Sequence, residues 1–236
     1  MTAEFILDEL RSIANPEKAA FLQRFFKTGK GQYAEGDVFL GIPNPLTRNV
    51  AKANRQAPLP ELQKLLDCPY HEARLAALVI MTEQYKKGSA AERQALFDMY
   101  LRNTSRINNW DLVDVTCPHI VGRHLTDKDR SVLYELARSP LLWEQRIAIV
   151  STVAFIRLHE YDDTLALSEM LLNHEHDLMH KAVGWMLREV GKRSKETLVG
   201  FLERNATRMP RTALRYAIEH FPPEERALFL LKKKQR

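Results

Sequence analysis

A chain of 236 residues, 45% hydrophobic and 28% charged, has the make-up of a globular protein with a substantial core, which excludes a disordered or fibrous one. Nine glycines and eleven prolines are too few for a turn-rich β-sandwich or barrel. No apolar run approaches the roughly 18 residues of a membrane span, because Asp8, Glu9 and Arg11 interrupt the early apolar segment.

The charge balance, 35 Lys plus Arg against 30 Asp plus Glu, gives a net charge of +5, which suits a polyanionic partner if the cations gather on one face. Cys68 and Cys117 have neither the number nor the spacing of a disulfide framework or zinc knuckle, so a reducing, cytoplasmic setting is expected.

Helical periodicity predicts two short amphipathic helices carrying Phe5, Leu10, Phe21, Phe25 and Phe26, divided at Asn15-Pro16. The segment Gly29 to Gly41 holds four of the nine glycines and reads as a loop. Ile42-Pro43-Asn44-Pro45 then leads into another helix, and Pro58 and Pro60 open the next. No run alternates apolar and polar residues convincingly, so the expected fold class is all-α.

Internal repetition sharpens that expectation. Segments starting at Arg74, Trp110, Arg146, Lys181 and Arg211 read RLAALVIM, WDLVDVTC, RIAIVSTV, KAVGWMLR and RTALRYAI, at spacings of 36, 36, 35 and 30 residues. Second helical stretches lie between them: 91–101, 129–138 and 163–172. Helix pairs recurring in this way are the signature of a stacked α-solenoid, a helical repeat α-α superhelix of the HEAT or armadillo kind, with an irregular helical bundle as the alternative, and 1–236 is expected to form one domain.

In a solenoid, equivalent positions line one concave surface. The first residue of each segment and the one a turn later, four positions on, share a helix face. The first row is Arg74, Trp110, Arg146, Lys181 and Arg211; the second is Leu78, Asp114, Val150, Trp185 and Arg215. Five cations, two tryptophans and an aspartate predict a solvent-facing, basic groove. Each tryptophan alone reads more simply as a packing residue. Together, cations that track phosphates, ring faces that attract positive charge and a carboxylate suit a cationic group carried on a polyanion, such as an alkylated base in DNA.

These residues resemble the DNA alkylation repair glycosylases of the AlkD family. The resemblance is carried by Phe39-Leu40-Gly41-Ile42 with Pro45 and Arg48, by Asn108-Asn109-Trp110-Asp111-Leu112-Val113-Asp114, by Trp143-Glu144-Gln145-Arg146, and by 181–189 (KAVGWMLRE). It implies a HEAT-like helical repeat solenoid and a monofunctional glycosylase that removes cationic lesions such as 3-methyladenine and 7-methylguanine from duplex DNA without flipping the base. It places the family's catalytic aspartate on Asp114, its cleft tryptophans on Trp110 and Trp185, and its cleft arginine on Arg146. Arg74, Lys181, Arg188, Arg211 and Arg215 are further candidates for phosphate contacts. Where a family member has glutamine, this chain has Pro43, which bears on substrate preference more than on the reaction.

Other signals carry less. His176 and His180 have a spacing able to bind a metal, with His174 nearby, but no HExxH pattern accompanies them and no metal is expected. Cys117-Pro118-His119 reads as a structural cysteine, and 232–234 (KKK) as a solvated tail. No Walker or dinucleotide fingerprint is present, so no nucleotide cofactor is expected, and no membrane partner. A monomer is expected because DNA would occupy the concave face. The competing readings are a non-catalytic module that binds damaged or branched DNA and a protein-scaffolding solenoid; Asp114 together with both tryptophans argues for the enzyme.

Overall fold

A computed structural model describes residues 1–232, all but the side chain of Lys232. Among the described residues the regular elements are all helices, and the one β-type pairing is an isolated bridge between Val38 and Tyr70. No described helix is long and apolar enough to cross a membrane. The chain divides into two compact units, Met1–Ile120 and Val121–Arg236.

Unit 1 holds α1 (Ala3–Ser12), α2 (Pro16–Phe25), α3 (Asn44–Ala53), α4 (Leu59–Asp67), α5 (His71–Lys87), α6 (Ala90–Arg102) and the short α7 (Trp110–Asp114). The punctuation expected from sequence sets these bounds. Asn15 caps α2 by accepting the Lys18 N–H at 2.9 Å, and Pro16 opens it. Ser89 and Glu92 form a reciprocal capping box on α6. The glycine-rich stretch is a loop, closed by Gly41 at φ 82. A Cβ there would lie 2.1 Å from the Asn15 carbonyl oxygen, so the close approach of loop to α2 requires glycine.

The centre of unit 1 is α5, which packs against α3, α4 and α1. Every residue from His71 to Thr82 is buried, so α5 is enclosed on all faces. This corrects the solvent-facing row: Arg74 and Leu78 lie inside.

Unit 2 holds α8 (Ser131–Arg138), α9 (Leu142–Ser151), α10 (Val153–Ile156), α11 (Asp162–Met170), α12 (Asp177–Gly191), α13 (Lys195–Asn205), α14 (Arg211–Ala217) and α15 (Pro223–Lys232). Its organiser is α12, which packs on α14, α13, α9 and α11. A Cβ at Gly184 would lie 2.5 Å from the Ala213 carbonyl oxygen, so the glycine beside Trp185 lets α12 meet α14 closely. Arg130 supports α11 through an ion pair with Asp163 at 2.7 Å, its guanidinium 3.8 Å above the Phe155 ring.

The repeat phase read from sequence matches helix pairs but not helix starts. Trp110 and Arg211 are the first residues of α7 and α14, whereas Arg74, Arg146 and Lys181 lie about one turn into α5, α9 and α12. Arg146 and Val150 are buried in α9, a second departure from the solvent-facing row. The RLAALVIM and RIAIVSTV segments are apolar around most of the helix, so a cation among them must find an internal partner. The basic run at 232–234 falls outside the described residues, apart from the backbone of Lys232.

Candidate functional site

In unit 1 the candidate residues gather on α7, a helix of five residues that begins with Trp110 and ends with Asp114. Asn109 is its N-cap and accepts the Trp110 N–H at 2.9 Å. The inward residues of α7, Asp111, Leu112 and Val113, are buried, which leaves Trp110 and Asp114 half-buried at its two ends. One short turn thus presents an indole and a carboxylate at the protein surface.

Beneath that turn lies a charge cluster that the sequence reading missed. His71 Nδ1 sits 2.9 Å from Asp37 Oδ2, and His71 Nε2 sits 2.9 Å from Asp111 Oδ2. Arg74 donates to the other Asp37 oxygen, to Asn108 Oδ1 at 3.1 Å, and to the carbonyl oxygens of Cys68 at 3.1 Å and Pro69 at 2.9 Å. All four charged groups are buried. Two carboxylates face two cationic side chains, which is how such groups are tolerated away from water.

The pKa directions agree. Burial pushes the His71 imidazole down, but the charge and hydrogen bonds of Asp111 and Asp37 outweigh it and raise the ring to about 9. Burial pushes Asp37 up, and the His71 hydrogen bond with the Arg74 charge more than offsets this, leaving it below the usual carboxylate range. His71 is therefore cationic at neutral pH.

Glu72, next along α5, is also spent on structure. Its carboxylate accepts the backbone N–H groups of Leu40 at 2.9 Å, Gly41 at 2.9 Å and Ile42 at 3.1 Å. The Phe-Leu-Gly-Ile element is thereby fastened to α5, and it brings Phe39 onto the His71 ring, with centroids 4.4 Å apart and planes at 21°. Phe26 stacks on Phe39 at 5.0 Å and on Trp110 at 5.3 Å. Phe25, exposed, meets Trp110 edge-on at 6.4 Å.

A cavity of about 230 Å³ opens beside Trp110 between Phe25, Phe26, Phe39, Ile42, Pro43 and Asn44. Pro43 gives it an apolar wall where a glutamine would offer an amide. A larger cavity of about 390 Å³, bounded by Arg55 to Leu59 and Glu83 to Gly88, touches none of the candidate residues.

In unit 2, Trp185 is half-buried on α12. Lys181, one turn earlier, pairs with Asp177 at 2.8 Å. Arg188 pairs with Glu219, its guanidinium 6.0 Å from the Tyr216 ring. Arg211 and Arg215 are exposed on α14, with no carboxylate partner among the described residues. Arg146 is instead buried, and donates to the Leu178 carbonyl oxygen at 2.5 Å, at the start of α12.

The three histidines near α12 serve its start: His174 Nδ1 accepts the His176 N–H at 2.9 Å, His176 caps Leu178 at 3.1 Å, and His180 reaches the His174 carbonyl oxygen. Among the described residues no group of three His, Cys, Asp or Glu side chains is placed to hold a metal ion.

The sequence profile of the DNA alkylation repair enzymes matches residues 6–221. The chain belongs to that family. A solved structure titled a predicted DNA alkylation repair enzyme, from Enterococcus faecalis, superposes with a TM-score of 0.68 at 19% identity, covering 89% of this chain and 97% of that one. At that identity the likeness speaks for the fold, a helical repeat architecture. No curated protein matches the chain. Membership in the family places this chain in the repair of alkylation damage, with DNA as the molecule acted on.

Proposed function

We propose that the chain is a monofunctional DNA glycosylase that hydrolyses the N-glycosidic bond of cationic alkylated purines, 3-methyladenine and 7-methylguanine above all, in duplex DNA. The observation that supports this most is the α7 turn, which holds the Trp110 ring and the Asp114 carboxylate at the surface over a buried, charge-balanced cluster. A carboxylate and an indole on a rigid mount are what a developing sugar cation needs; a module that only binds DNA has no use for the carboxylate.

The chemistry follows from the substrate's charge. Alkylation at N3 or N7 makes the base a cationic leaving group, so no general acid has to protonate it. Breaking the bond leaves positive charge on the deoxyribose, as in other glycoside hydrolyses. In this reading, ionised Asp114 stabilises that charge and orients the attacking water, and fixed charges of this kind are often the largest catalytic term. The face of Trp110 adds an attraction of about 0.5–2 kcal/mol for the cationic nucleotide. Trp185 takes the equivalent part on α12.

The phosphate contacts divide by cost. Arg211 and Arg215 are exposed, have no ion-pair partner among the described residues, and can meet a phosphate directly. Lys181 and Arg188 first exchange the pairs they make with Asp177 and Glu219, which costs little because surface pairs are worth about 0–1 kcal/mol. Arg74 is withdrawn from this role by its four internal bonds, and Arg146 acts by holding the first turn of α12. In keeping with the resemblance, the lesion stays stacked and the protein grips the backbone, as a monomer.

The test is to incubate the protein with methylated duplex DNA and assay both free bases and strand integrity. Free 7-methylguanine and 3-methyladenine, with strands that break only on later alkali treatment, are expected. Binding without release of either base would transfer the chain to the non-catalytic DNA-binding reading.

A further inference from the structure

The cluster under Trp110 has a construction that the chemistry above does not use. Two side chains of α5, one turn apart, reach either side of Trp110: Arg74 holds Asn108 Oδ1 at 3.1 Å and His71 meets Asp111 Oδ2 at 2.9 Å. Both are tied back to Asp37. The other Asp111 oxygen accepts the Leu112 N–H at 2.9 Å, so this side chain spans from α5 to the backbone of α7. Phe26 completes a second route, packing on the His71 ring at 5.3 Å and on Trp110 at 5.3 Å.

We propose that His71 is a positioning residue for base release: as an imidazolium bridging Asp37 and Asp111, it fixes the orientation of α7 and so the aim of Trp110 and Asp114. The proposal rests on the glycosylase reading and extends it.

The two bonds of His71 differ in what else supports them. Asp37 has a second cation, Arg74, whereas the cationic partner of Asp111 in this cluster is His71. A neutral imidazole has one N–H and cannot donate to both carboxylates. The unprotonated nitrogen would turn a lone pair toward a carboxylate, and Asp111 is the partner less well held. Loss of the proton therefore loosens α7 and leaves Asp37 in place on Arg74.

The charged groups around the ring are few. Asp37 comes from the loop, Asp111 from α7, and Arg74 and Glu72 from α5 itself, with Glu72 turned to the N–H groups of 40–42. Phe26 and Phe39 cover the ring with aromatic surface. The two carboxylates lift the imidazole to about 9, which puts the loss of its proton on the alkaline side of neutrality.

The experiment follows the full chain, with nitrogen-15-labelled histidine and tryptophan, between pH 7 and 10. The Trp110 indole signal is assigned by its loss in Trp110→Phe. The same samples are used for single-turnover release of 7-methylguanine, corrected for release without enzyme. The His71 and Trp110 signals are expected to move with one midpoint near pH 9. Across it base release falls roughly tenfold or more, the scale of a slightly misplaced catalytic group, while the Kd for DNA changes less than about twofold. A Trp110 signal that stays fixed while His71 titrates overturns the proposal.

His71→Gln keeps one donor and is expected to release base about tenfold more slowly at pH 7, with DNA affinity retained and no step near pH 9. Wild-type release by this variant also overturns the proposal. If it does not fold, the wild-type titration decides alone. No base release at any pH, with the two signals still moving together, sinks the glycosylase reading while supporting the coupling of His71 to Trp110.

Discussion

Arg74 of α5 in unit 1 and Lys181 and Arg211 of α12 and α14 in unit 2 occupy equivalent places in the sequence repeat, and they and their neighbouring cations do different work. Arg74 and His71 are buried, facing Asp37 and Asp111 across bonds that hold backbone segments together. Lys181 and Arg188 make surface pairs, and Arg211 and Arg215 stand in solvent. The same side-chain chemistry is structural where the helix is enclosed and open to solvent where it is not. Burial and partners, more than sequence phase, assign the role.

The largest expected effect lies in unit 1. Asp37→Ala leaves His71 and Arg74 facing each other's charge without their shared carboxylate, and removing one member of a buried ionic group costs about 3–5 kcal/mol. Urea unfolding at pH 7 measures it. A loss below about 1 kcal/mol would mean the cluster is as dispensable as a surface pair.

The pH dependence of stability comes next. Because the folded pKa of His71 is raised from 6.5 to about 9, its contribution is complete below about pH 6.5 and lost as pH rises through about 9. The loss should be about 3 kcal/mol, since each pKa unit is worth about 1.4 kcal/mol. Unfolding measured at pH 7 and at pH 10 tests the sign; greater stability at pH 10 would reverse the assignment. In His71→Gln this step should vanish.

A smaller effect is expected where α12 meets α14. Gly184→Ala forces a methyl to within 2.5 Å of the Ala213 carbonyl oxygen and 2.6 Å of the Tyr216 Cβ. The helices must part, at a cost of about 1–3 kcal/mol, readable as a lowered Tm. Arg215→Ala and Arg211→Ala should leave stability within about 0.5 kcal/mol. Each should weaken duplex binding and reduce the slope of log K against log salt by about 0.9 if its cation meets one phosphate. An unchanged slope removes that residue from the DNA-contacting set.

Much of the fold was legible because its punctuation is local. Asn15-Pro16, the glycine-rich loop, Pro43 to Pro45 and the paired helices after Arg74 each signal through residues adjacent in sequence, and α2, α3, α6, α8 and α11 follow those signals. The burial of Arg74 and Arg146 was not legible, because amphipathicity disappears in a helix enclosed on every side, as α5 is. The charge cluster was hidden for another reason. Asp37, His71 and Asp111 are separated by 34 and 40 residues, and each looks ordinary alone. The signal that was present lay in Phe39 to Ile42 and in Asn108 to Asp114, singled out by resemblance. Their physical reason is now visible: Glu72 holds the first segment, and His71 with Arg74 holds the second.

The role of Asp114 is decided by 7-methylguanine release from methylated duplex DNA by the native chain and by Asp114→Asn, with DNA affinity measured on both. Release by the native protein is expected to fall by at least roughly a hundredfold in the variant, the scale of losing a main electrostatic stabiliser, while affinity holds. Equal release by the two proteins would contradict it, and would move the catalytic role away from the α7 turn.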